Sequence, residues 1–142
     1  MANRLLTTPN HVIMGVTTVI STIFHAVIFL AYGVGMLLLY ATAEQAGTPT
    51  AQDYAVIVLM FVFFMIHMFA LICLLERSPQ GRTFGFSVIT IVIELIVCPV
   101  YALGGYMTMG MPYNRVLLVF SAMLLFSLIG NIYCVIRHTI TK

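Results

Sequence analysis

Apolar residues run through most of the chain in long unbroken stretches, separated by short polar segments. Four stretches are long enough, at 1.5 Å rise per residue, to cross a hydrocarbon layer: residues 12–40, 54–75, 84–106 and 116–136. No lipid group can satisfy a bare backbone amide, so each stretch is expected to be a helix. The segments between them carry turn residues: Gly47 and Pro49, then Pro79 and Gly81, then Gly110 and Pro112. These connections are short, which predicts an up-and-down antiparallel four-helix bundle within one membrane domain, residues 1–142. The first stretch is too long for a signal-peptide core and has no small-residue cleavage site before it, so it is expected to stay as a span.

Composition strengthens this picture. The chain is 62% hydrophobic and 7% charged, too few charges to cover the surface of a soluble domain of 142 residues. Its polar exterior is therefore missing, and the lipid bilayer is the expected surroundings. A net charge of +2, scattered along the chain, excludes a nucleic-acid surface. The basic residues also set an orientation. Arg4, Arg77, Arg82, Arg137 and Lys142 fall on one side of the four spans, and Arg115 falls on the other beside Glu44 and Asp53. By the positive-inside rule both termini are cytoplasmic, and the bacterial inner membrane is the expected location. Cys73, Cys98 and Cys134 lie inside apolar runs, without a C-x-x-C pair, and read as small buried hydrophobes.

The polar residues inside the spans change the picture from a lipid-soluble bundle to one with chemistry in it. Counted from the outer end of each span, His25 lies fifteen residues below Tyr40 and His67 thirteen below Tyr54. Glu94 lies twelve below Tyr106, and Asn131 fifteen below Val116. At 1.5 Å per residue these depths agree within about one turn, so each span contributes one strong polar group to a common layer. Small and polar residues follow helical spacing around them. They are Gly15, Thr18, Thr22, His25 and Ala26 in the first span, and Ser87, Thr90, Glu94, Cys98, Tyr101 and Gly105 in the third. Ser127, Asn131, Cys134 and His138 do the same in the fourth. Such stripes turn toward other helices, so Glu94 is expected to point at His25, His67 and Asn131, with Tyr101 on the same face. Pro99 denies the Leu95 carbonyl its helical donor, which would leave an acceptor beside the layer.

An ionisable side chain at this depth costs a few kcal/mol or more, whereas an interhelical hydrogen bond in lipid returns about 0.6 kcal/mol. Stability is thus a poor reason for Glu94, and the layer is read as a proton- or ligand-binding site of His25, His67, Glu94, Asn131 and Tyr101. Three further possibilities follow from residue type. Two histidines at one depth could ligate haem b from opposite faces, or hold a metal together with Glu94. The run "MTMGMP" sets Met107, Met109 and Met111 in alternation, thioethers suited to Cu(I). The aromatic-rich second span could face a quinone. No G-x-S-x-G, H-E-x-x-H or glycine-rich phosphate loop is present, so no catalytic activity of its own is expected. Four short spans enclose little volume. The favoured reading is therefore a small subunit of a larger membrane complex. The alternatives are a homo-oligomeric proton-coupled transporter using Glu94, and a haem b or quinone anchor.

Overall fold

The computed structural model describes residues 8–42, 48–76, 80–107, 109–110 and 114–140. Arg4, Arg77 and Lys142, three of the five residues behind the orientation, lie outside the described residues, as does Met111. The described residues form helices, with no strand among them. The first span is α1 (Thr8–Ile28), a π-helical segment (Phe29–Val34) and α2 (Gly35–Thr42) end to end. The others are α3 (Ala51–Leu75), α4 (Gln80–Met107) and α5 (Asn114–Ile140). Their segments long and apolar enough to cross a membrane are Val12–Thr42, Ala51–Leu75, Arg82–Met107 and Asn114–Arg137.

The helices extend past the apolar runs because backbone hydrogen bonding, and not hydropathy, ends a helix. The start of α3 shows how. Thr50 accepts from the Asp53 amide at 3.3 Å, and Asp53 accepts from the Thr50 amide at 2.8 Å, a reciprocal capping box that pulls the helix back to Ala51. The Tyr40 hydroxyl donates to the same carboxylate at 3.0 Å and ties the end of α2 to this cap.

α1 packs against α3 and α5, and α4 packs against the same two, so the four helices close into a ring with α1 and α4 on a diagonal. Residue numbers rise along one helix as they fall along its neighbour: Thr17 meets Asn131 and Phe24 meets Phe120, while Thr22 meets His67 and Phe29 meets Phe61. Close approach depends on glycine at two places. A Cβ on Gly105 would lie 2.9 Å from Leu118 Cγ, and one on Gly130 would lie 2.5 Å from Thr17 Cγ2. Both values are below real carbon contacts, so α5 nests against α4 and α1 only because these side chains are absent.

The bundle is polar inside and apolar outside. Its buried residues include Thr17, Thr18, Ser21, Thr22, Ser87, Thr90, Ser121 and Ser127, while Leu, Ile, Val and Phe dominate the exposed face. Two apolar clusters bracket this interior. Met14, Leu74 and Cys134 pack near the Arg82 and Arg137 end, and Phe24, Cys98 and Leu124 pack toward the other. All three cysteines are buried, and none of them forms a disulfide. Leu95 and Pro99 both sit on the exposed face of α4. The carbonyl freed by Pro99 therefore lies on the outward side of α4 and not in the polar layer, contrary to the expectation from spacing.

Candidate functional site

Glu94 lies at the centre of the ring, fully buried, and reaches across the diagonal from α4 to α1. Ser21 donates a hydrogen bond to Glu94 Oε1, and Ser127 of α5 donates to the same oxygen at 2.9 Å. The two serine oxygens are 2.5 Å apart, and Ser127 is also 3.0 Å from the backbone carbonyl of Thr17. Three helices therefore meet at one carboxylate oxygen. Its other oxygen, Oε2, has no partner among the described residues.

The fourth helix brings His67. Its Nε2 is 3.7 Å from Glu94 Oε1, beyond hydrogen-bond distance and within ion-pair distance. The ring is oriented from its far side, where Nδ1 is 2.8 Å from the Phe63 carbonyl. A carbonyl only accepts, so Nδ1 carries the hydrogen. In the neutral ring Nε2 is then a bare lone pair facing a carboxylate oxygen.

Ser21 and Ser127 supply one hydroxyl proton each, yet four oxygen–oxygen approaches need filling: each serine to Glu94, serine to serine, and Ser127 to the Thr17 carbonyl. Two hydroxyl protons cannot serve all four approaches singly, so the two serines share their hydrogens among these oxygens.

His25 stacks on His67 with ring centroids 4.1 Å apart and planes tilted by 34°. Phe24 and Phe63 meet it edge-on, with centroids at 5.2 Å and 6.1 Å, and its Nε2 has no partner among the described residues. This stacking does not fit the haem expectation. Iron between two imidazoles needs their ring nitrogens about 4 Å apart on opposite sides of the metal, with the porphyrin plane between. Rings tilted by 34° with centroids only 4.1 Å apart leave no such gap. Neither Glu94 nor Asn131 fills the space between them, because there is none. Nor do His25, His67 and Glu94 converge as metal ligands: no group of three or more His, Cys, Asp or Glu among the described residues does.

Asn131 does not meet Glu94 directly. It is buried about one turn toward the Arg137 end, where its side-chain oxygen accepts from Thr17 at 2.8 Å. It joins the cluster through Thr17, whose carbonyl is 3.0 Å from the Ser127 hydroxyl. Tyr101 lies about two turns beyond Glu94 along α4, edge-on to Phe24 at 5.3 Å. Met107, at the end of α4, and Met109, just beyond it, are exposed and remote from the layer, and Met111 lies outside the described residues.

The closest partners of Glu94, Ser21 and Ser127, were not what the spacing pointed to. Ser127 belongs to the polar stripe of its helix, but Ser21 and Thr17 lie beside the Thr18–Thr22–His25 stripe. The signal available was their own i, i+4 spacing, a second small polar row on α1. Comparison with protein-family models, with curated proteins and with solved structures finds no match to this chain.

Proposed function

We propose that this chain is a proton-binding, membrane-spanning subunit of a larger membrane assembly, with Glu94 and His67 sharing the proton and both termini in the cytoplasm. The observation that carries this reading is the orientation of His67. Its Nδ1 is committed to Phe63, so its only free nitrogen faces a buried carboxylate across 3.7 Å. One proton moving between these groups changes the charge of both. The ring of His25, with its centroid 4.1 Å from that of His67, brings a second imidazole beside the pair.

Two features support assembly with other chains. No other His, Asp, Glu, Lys or Arg is buried among the described residues, so an ionisable relay from the layer to either surface draws on other chains. Ala31 and Gly35, four apart on the first span, both face outward, and nothing lies within 4 Å of a Cβ on Gly35. That face is open to a close-packed neighbouring helix.

Three measurements test the proposal. Infrared difference spectra between acid and alkaline buffers are expected to show a carboxyl band that is lost in Glu94→Gln. A band unchanged by that substitution removes proton binding at Glu94. Native mass in mild detergent is expected to exceed the mass of this chain by that of other subunits. A mass that is a whole multiple of 15.7 kDa favours the homo-oligomeric transporter instead. For orientation, a cysteine at Thr48 should react with an impermeant thiol reagent from outside and one at Gln80 should not. The native cysteines are buried and give little background. The reverse labelling pattern inverts the topology.

A further inference from the structure

Beside the polar layer a cavity of about 230 Å³ opens between α1, α3 and α4. Leu59, Ile96 and Val100, at 51%, 60% and 62% exposure, stand at its mouth on the bundle's outer, apolar face. Its walls also include Phe63, Tyr101 and His25, which is only 4% exposed. The geometry points to a binding site for the ring of a quinone or quinol, entered sideways from the lipid.

Four features select that class. The first is depth. Val56 and Phe63, both lining the cavity, lie five and twelve residues into α3, or about 8 and 18 Å below its start at 1.5 Å per residue. The occupant therefore sits within the hydrocarbon, below the level of lipid headgroups. The second is size. Pockets that enclose a drug-sized ligand run to about 300–1,000 Å³, so this one takes a single ring and leaves any tail in lipid. The third is charge. No charged side chain lines the cavity, and an ion buried without a counter-charge is costly, so the ligand is neutral. The fourth is hydrogen bonding. Tyr101 lines the cavity, and among the described residues nothing hydrogen-bonds its hydroxyl. A hydrocarbon chain offers this hydroxyl nothing, whereas a ring carbonyl accepts from it. Flat aromatic walls suit a flat ring. The assignment rests on the cavity's lining and stands apart from the proton reading of Glu94, so either can fail alone.

The chain has no tryptophan, so one introduced residue is a unique fluorescent reporter. Leu103→Trp places it at an exposed position one turn from Val100, beside the mouth. Val119→Trp places it on the exposed face of α5, which packs against α1 and α4, at similar depth. In nanodiscs, a decyl-tailed benzoquinone is expected to quench Leu103→Trp along a saturating curve and Val119→Trp only in proportion to its concentration. Adding Tyr101→Phe to the Leu103→Trp protein should weaken saturation about three- to tenfold, the loss of one neutral hydrogen bond. Decylbenzene, which lacks ring oxygens, should not displace the quinone. Proportional quenching at both positions overturns the site. Displacement by decylbenzene, or a saturation curve unmoved by Tyr101→Phe, overturns the quinone class.

Discussion

Gly130→Ala is expected to destabilise the bundle by about 1–3 kcal/mol, the usual cost of forcing one extra carbon into a packed core. The added Cβ would lie 2.5 Å from Thr17 Cγ2 and 3.5 Å from Ile13 Cγ2. Thr17 has little freedom to swing away, because its hydroxyl is 2.8 Å from Asn131 Oδ1 and 3.0 Å from the Ile13 carbonyl. The second site of a double-mutant cycle is therefore Thr17→Ser. It deletes the clashing methyl and keeps the hydroxyl, so Gly130→Ala should cost much less in that background. Gly35→Ala is the control. Nothing lies within 4 Å of its Cβ, and alanine is the better helix former, so stability should hold or rise slightly. The readout is reversible unfolding in mixed micelles followed by circular dichroism. An equal cost for Gly130→Ala in both backgrounds means that the Thr17 contact does not set the α1–α5 distance.

Glu94→Ala should cost about 2–4 kcal/mol in the same assay, while Glu94→Gln should stay within about 1 kcal/mol of wild type. Alanine removes the oxygen on which Ser21 and Ser127 converge, and leaves two buried hydroxyls and the His67 Nε2 around an empty volume. Glutamine keeps an acceptor for the serines and adds amide hydrogens, one of which can meet His67. The pair separates two roles that one carboxylate combines. If Glu94→Ala is as stable as wild type, the polar layer does not hold the helices together.

Much of the architecture was legible before any coordinates. The four spans follow from hydropathy, and the shared depth of His25, His67 and Glu94 follows from counting residues at a constant rise. The burial of Ser87, Thr90, Glu94 and Cys98 follows from spacing on one helix face. The helix starts were less legible. The apolar run of the second span begins at Tyr54, but the Thr50–Asp53 cap sets the start of α3 at Ala51. That signal is present in the residues, although hydropathy alone does not weigh it.

The site itself was only half legible. Depth along a membrane normal is a property of each helix alone, because rise per residue is fixed by backbone hydrogen bonds. The rotation of each helix, and which helix stands opposite which, are properties of the set. They depend on where backbones can touch, as at Gly105 and Gly130. That arrangement sends Glu94 across the diagonal to Ser21 and moves Asn131 onto Thr17. It brings the two histidine rings to 4.1 Å between centroids, closer than the haem geometry that depth alone allowed. It also leaves the lipid-side opening between α3 and α4. Local periodicity carries the layer and its height. Contacts between residues far apart in the chain choose the partners within it, since no span carries information about the rotation of its neighbours.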